Sequence, residues 1–390
     1  MAENEYRVLN AALRMLKVSE KTNKDPDDLR QMLEGYQKKR KYKIPEEYLS
    51  TVCDYRIENA AGRGCIIAKP IGAAPERAVL LFYGGGYFKT PDRSDFDYLV
   101  QVVRETKSEV WFPLYPLAPE ADIAVIMEHA AEVYRQMLMK WKPEDIVWQG
   151  NSSGGTTCLY LCMKIKHDGE VLPYPSRILM LSPAVQMPPS EEQTQKMKEL
   201  EDGDLVLSAK YCHSIAEILY HPDYDYLCRP FEFDWTGFPP MMVLFGSREI
   251  FSVFVPEIRE ASRKYRVPLK GHIGKDMMHC WPLYGNTEAG KRAKIKMLSF
   301  ICGIDEADAD FDSDEKDLEC VCIYTAANDL EARMIENLLF DNSIPCFRKD
   351  LNNAGFMNVY AGISNMGTEI YVTKADEERA AELLPDRKEL

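Results

Sequence analysis

The chain has 390 residues, 46% hydrophobic and 28% charged, the balance of a soluble globular protein and longer than one compact core usually runs. Its net charge of −14 argues against a nucleic-acid surface and against affinity for anionic lipid. No apolar run reaches membrane-spanning length, charges scattered through residues 1–18 leave no signal-peptide core, and eleven cysteines without metal-ligand spacing point to a reducing cytoplasm.

Residues 1–50 read as helical. Val8, Leu9, Ala12, Leu13 and Leu16 recur at helical spacing, and Asp25-Pro26 opens a second helix carrying Leu29, Met32, Leu33 and Tyr36. The segment is too short to stand as a domain, so it is expected to pack as a cap on the strands and helices that come after residue 50. The basic run Lys38-Lys39-Arg40-Lys41 reads as a solvated helix face, with an anion site as the alternative.

From Thr51 the rhythm changes to strands and turns. Residues 52–57 and 64–68 alternate as half-exposed strands, expected to pair antiparallel. Ala78–Tyr83 is continuously apolar, as in a strand buried on both faces, and it breaks directly into Gly84-Gly85-Gly86-Tyr87. Such a loop lets peptide N–H groups face a cavity with no side chain in the way, which a developing oxyanion needs. A helix over 95–106, a strand over 109–114 and a helix over 123–139 come next.

Then comes Ile146-Val147-Trp148, a short buried strand, and an apolar helix from Thr157. Between them Gly150-Asn151-Ser152-Ser153-Gly154 fits Gly-x-Ser-x-Gly in the strand–turn–helix setting that gives the motif its meaning. Ser152 alone has glycine two positions away on each side; Ser153 would need one at 151. The turn presents a hydroxyl beside a helix N-terminus, whose free N–H groups favour negative charge. Strand, helix, strand, helix, strand in this order gives an α/β fold with a mostly parallel sheet covered by helices on both faces.

Tyr83-Gly84-Gly85-Gly86-Tyr87, Tyr115-Pro116-Leu117-Ala118-Pro119-Glu120 and Gly150-Asn151-Ser152-Ser153-Gly154-Gly155 together resemble the three ordered signatures of the hormone-sensitive-lipase-like (family IV) carboxylesterases of the α/β-hydrolase superfamily. The resemblance spans roughly Thr51 to Gly303, taken as a catalytic domain over 51–303 behind the 1–50 cap. Two positions depart from it: Tyr83 stands where the family usually has histidine, and Pro116 where it has arginine. Both bear on the shape of the glycine loop.

The resemblance implies that an acid and then a histidine come after the serine. Met241–Gly246 is the strand expected to carry the acid, and Glu249 stands just past its end; Asp276 is the alternative. His279 lies beyond the last strand, 268–273, whereas His272 lies inside it and reads as structural. In these roles Ser152 is the nucleophile, His279 the general base and Glu249 its orienting partner. By analogy with the family, the N–H groups of Gly85, Gly86 and Ser153 form the oxyanion hole. The implied reaction is hydrolysis of short- to medium-chain acyl esters, small-molecule substrates, without metal or cofactor. An amidase or formamidase with the same triad, or a binding protein on a hydrolase scaffold, are the alternatives. Tyr87, Phe88, Met187, Met197, Tyr211, Tyr220 and Trp281 are candidates for the substrate pocket.

Residues 304–317 form an acidic stretch almost without large apolar residues, expected to be a linker. Beyond it, 318–390 reads as a small α+β unit: a strand at Cys320–Tyr324, a capping box at Asn328–Glu331 opening an amphipathic helix, strands at 344–348 and 369–372, and a last helix at 376–384. Tyr324-Thr325-Ala326, Glu331-Ala332, Ile344-Pro345-Cys346 and Ile370-Tyr371-Val372 resemble a small bacterial family of signal-transducing domains, which implies a ferredoxin-like module. It holds no catalytic constellation and is a candidate for docking a protein partner or forming a homo-oligomer.

Overall fold

The computed structural model describes residues 18–169, 171–283, 287–304, 320–342, 344, 346–350 and 368–384. The first expected helix, over residues 8–16, and nearly all of the acidic stretch lie outside these. The chain divides into two compact units, a larger one whose described residues run from 18 to 283 and a smaller one from 287 to 384.

The larger unit begins with three helices, α1 (Val18–Thr22), α2 (Pro26–Gln37) and α3 (Glu46–Val52). Pro26 at the first helical position costs α2 no hydrogen bond, and Leu29 and Leu33, one turn apart, are fully buried. Each such burial is worth about 2 kcal/mol. Strands β1 (Asp54–Ala60) and β2 (Arg63–Lys69) pair antiparallel as expected, but β2 is not half-exposed: it lies between β1 and β4, and Cys65, Ile66, Ile67 and Ala68 are buried. Next in the chain are β3 (Arg77–Phe82), α4 (Arg93–Thr106), β4 (Ser108–Pro113), α5 (Ile123–Leu138), β5 (Ile146–Asn151), α6 (Ser153–Asp168), β6 (Arg177–Leu181), α7 (Glu191–Leu200), α8 (Ala209–Leu219), β7 (Met241–Gly246), α9 (Val255–Tyr265) and β8 (Leu269–Gly274). The sheet order is β1-β2-β4-β3-β5-β6-β7-β8, with every neighbouring pair from β4 onward parallel.

Every residue of β5 is buried, and so is α6 from Ser153 to Ile165. A central strand and the helix packed on it have no wet face, which accounts for the mostly apolar sequence of both. Gln149, one of two polar side chains in β5, donates its amide to the Tyr98 hydroxyl of α4. The cap helix α2 is tied to α8, with the Ser214 hydroxyl donating to Lys24 O at 2.7 Å and Lys210 pairing with Asp25 at 2.9 Å. No helix among the described residues is long and apolar enough to cross a membrane.

The smaller unit comprises α10 (Glu288–Cys302), β9 (Cys320–Ala326), α11 (Asp329–Asp341), β10 (Phe347–Asp350), β11 (Thr368–Thr373) and α12 (Glu377–Leu383). Its antiparallel sheet runs β10-β11-β9. Ala332, Ile335 and Leu339 of α11 pack with Ile370 and Val372 in its core. The sequence alone runs the hydrolase unit to residue 303, whereas α10 groups with this smaller unit. Ile295 packs with Phe347 and Tyr371, while Lys291 and Lys294 lie over those two rings.

Candidate active site

Ser152 is the entire turn between β5 and α6, and its backbone is held at φ 53°, ψ −121°, a conformation an L-residue rarely adopts. The two flanking glycines are sterically required. A Cβ on Gly150 would lie 2.1 Å from Gly154 O, and one on Gly154 would lie 2.1 Å from Phe82 O. The turn therefore closes only with hydrogen at both places, and it leaves the Ser152 hydroxyl at the carboxyl edge of the sheet.

His279 reaches that hydroxyl from the loop after β8. Its Nε2 lies 2.9 Å from Ser152 Oγ and its Nδ1 2.6 Å from Glu249 Oε2. Glu249 stands three residues past β7 and is fully buried. Its second oxygen, Oε1, accepts the Gly246 N–H at 2.7 Å and the Ser182 hydroxyl at 2.9 Å. The three side chains thus descend from the ends of three parallel strands on the same edge, where a parallel sheet collects its ligands.

Burial raises the Glu249 carboxyl above the ordinary value, against the opposing pull of the His279 and Gly246 bonds. For His279, desolvation favours the neutral ring, but the Cys280 sulfur and the Glu249 carboxylate favour the cation. The imidazole ends well above the ordinary histidine value. A neutral ring with Nδ1–H donated to Glu249 presents a bare Nε2 to Ser152, the arrangement of a general base.

Asp276 does not enter this group; it is exposed and pairs with Arg248 at 2.9 Å. His272 is buried inside β8. Among the pocket candidates, Met197 and Trp281 are fully buried core residues, Tyr87 bonds to Thr157 at 3.2 Å, and Tyr220 is half exposed. Tyr83 points into the core, its ring 4.4 Å from Tyr115 and 5.3 Å from Phe112.

The glycine loop passes directly over the serine: a Cβ on Gly84 would sit 3.3 Å from Ser152 Cβ. Gly85 and Gly86 have φ of 110° and 60°, open to glycine at no steric cost. The N–H groups of Gly85, Gly86 and Ser153 have no acceptor among the described residues. Three side chains around this group carry no signal in the sequence. Ser182 links Glu249 to the Cys280 N–H, which donates to it at 3.0 Å. Asp204, also buried, accepts the N–H of Ile250, next to Glu249, at 2.9 Å. Arg40 corrects the expectation that its basic run is a solvated helix face: α2 ends at Gln37, and the Arg40 side chain is only 10% exposed.

A family model described as the alpha/beta hydrolase fold matches residues 79–283. A second, whose description proposes a prokaryotic signal transducing protein, matches residues 320–388. The chain is similar to an esterase of Acinetobacter venetianus, 26% identical over 238 residues that cover 60% of this chain and 77% of that protein. An acetyl-hydrolase of Streptomyces hygroscopicus is 23% identical over 217 residues, 54% of this chain and 71% of its own. Among solved structures, an esterase from the bacterial hormone-sensitive lipase family gives a TM-score of 0.59 at 22% identity, covering 72% of this chain and 92% of that one. EstE5, soaked with p-nitrophenyl butyrate, gives 0.62 at 22% identity, covering 77% and 98%.

Proposed function

The chain belongs to the α/β-hydrolase fold family, and from that footing we propose that it is a serine carboxylesterase working through Ser152, His279 and Glu249. The observation that carries the reading is the unbroken line of bonds from Ser152 Oγ through both ring nitrogens of His279 to a fully buried carboxylate.

Ser152 Oγ attacks the ester carbonyl carbon while its proton passes to His279 Nε2. Glu249 holds the ring in the tautomer with Nδ1–H and stabilises the cation that forms. The carbonyl oxygen, now negative, takes the N–H groups of Gly85, Gly86 and Ser153; one such donor is worth about 3 kcal/mol in the transition state. Collapse of the tetrahedral intermediate breaks the C–O bond, and the leaving alkoxide takes the proton from Nε2. Water then repeats the sequence on the acyl-enzyme: its proton goes to His279, its oxygen to the acyl carbon, and Ser152 leaves with the proton returned.

The substrates are esters of short to medium acyl chains, a choice supported by the resemblance of the three motifs. Eleven free thiols fit a reducing compartment, the cytoplasm. For the smaller unit the role is docking a partner or a second copy. The test is a p-nitrophenyl ester series from acetate to decanoate, with wild type and Ser152→Ala in parallel. Turnover by the wild type that vanishes in the variant supports the reading, and equal rates on every chain length overturn it.

A further inference from the structure

Four consecutive carbonyls of the glycine loop are each held by a donor. Gly85 O accepts the N–H groups of Phe88 and Lys89, at 3.1 and 3.0 Å. Gly86 O accepts the Tyr211 hydroxyl of α8 at 3.0 Å. Tyr87 O accepts the Ala118 N–H at 2.7 Å. Phe88 O accepts Arg40 Nη2 at 3.2 Å.

Arg40 does more than close the row. The same Nη2 donates to Ala118 O at 2.7 Å, and Nη1 pairs with Glu120 at 3.1 Å. Gln37 donates to the other Glu120 oxygen at 2.7 Å. The guanidinium therefore ties the glycine loop to the segment that itself holds Tyr87 O. Its planar fork suits this, since several acceptors must be met at fixed angles. Tyr211 fits its place as tightly: a Cβ on Gly86 would lie 2.1 Å from the phenol oxygen.

In a trans peptide the carbonyl and the N–H of the next residue lie in one plane and point in opposite directions. The Gly86 N–H therefore aims away from Gly85 O, which the Phe88 and Lys89 N–H groups hold. Tyr211, through Gly86 O, fixes the next peptide of a stretch whose glycines would otherwise turn freely, and Arg40, through Phe88 O, fixes the peptide that carries the Lys89 N–H. We propose that Arg40 and Tyr211 are positioning residues for the oxyanion loop, so that the N-terminal segment and α8 set the geometry of the chemical step. This rests on the esterase reading above.

The test uses the full chain with Arg40→Gln, Arg40→Lys and Tyr211→Phe. For each, kcat and KM are measured on p-nitrophenyl acetate, together with the rate of phosphonylation by a fluorophosphonate and the thermal midpoint. Arg40→Gln and Tyr211→Phe are each expected to lower kcat by roughly ten- to a hundredfold with KM within about twofold, because misaimed donors weaken the transition state and not the bound ester. Phosphonylation should slow in parallel, and Arg40→Lys should recover part of the loss, since an ammonium reaches fewer of the acceptors. Tyr211→Phe removes one oxygen and keeps the buried ring, so it answers even where Arg40→Gln unfolds. Variants that melt with the wild type and keep its kcat, or lose only KM, sink the positioning role while a labelled Ser152 leaves the esterase reading standing. A wild type that neither turns over nor labels sinks both.

Discussion

Glu249 Oε2 lies 2.6 Å from His279 Nδ1, and no part of the carboxylate meets solvent. Against the pull of burial, the Cys280 sulfur and this carboxylate together lift the imidazole well above the ordinary histidine value of 6.5. The protonated ring cannot accept from Ser152, so kcat/KM for p-nitrophenyl acetate should fall as pH drops, with its midpoint above 6.5. Glu249→Gln removes the charge: that midpoint moves to lower pH, and kcat falls on the order of 10³–10⁴-fold. Asp276→Asn weakens an exposed pair with Arg248 and should leave kcat within about twofold. The reverse pattern between the two variants would make Asp276 the working acid.

Ser182→Ala tests how the acid itself is held. The substitution takes one hydrogen bond from Glu249 Oε1 and leaves the Cys280 N–H without its acceptor. An unpaired buried N–H costs about 1–3 kcal/mol, so the thermal midpoint should drop. A carboxylate free to shift should lower kcat roughly tenfold. Unchanged kcat with a lowered midpoint would confine Ser182 to stability.

His129, on α5, is buried away from this site, and burial, helped by Arg63, pushes its pKa down to about 4. The unfolded chain takes the proton near 6.5 and the folded chain only near 4. The stability contributed by keeping the ring neutral is therefore full above 6.5 and lost progressively as pH falls towards 4. Between pH 7 and 4.5 this one group should cost about 2–3 kcal/mol of unfolding free energy. Urea melts of wild type and His129→Gln at the two pH values measure it, the variant losing that much less; equal losses would remove His129 from the acid sensitivity.

The sheet and the serine turn are legible in the sequence because their physics is local. Apolar runs mark strands buried on both faces, and Gly150 and Gly154 mark a turn that closes with nothing larger. The resemblance favours Glu249 over Asp276, but both stand near His279 in the loops, and which carboxylate turns inward is a matter of the fold. Ser182 and Asp204 leave no trace, because the bonds that tie them to this site, to Glu249, the Cys280 N–H and the Ile250 N–H, join distant segments. Arg40 misleads for the same reason: a basic run looks solvated until the loop carbonyls that one of its members meets are in place. The grouping of α10 with the smaller unit turns on Ile295, Phe347 and Tyr371, far apart in sequence.

Ser152 as nucleophile is tested most directly by treating the full chain with a fluorophosphonate and locating the adduct by peptide mass. One phosphonyl group per chain is expected, on Ser152, formed at a rate that rises with pH through the His279 titration and absent from Ser152→Ala. An adduct on Ser153, labelling that survives Ser152→Ala, or no adduct at all would contradict that role.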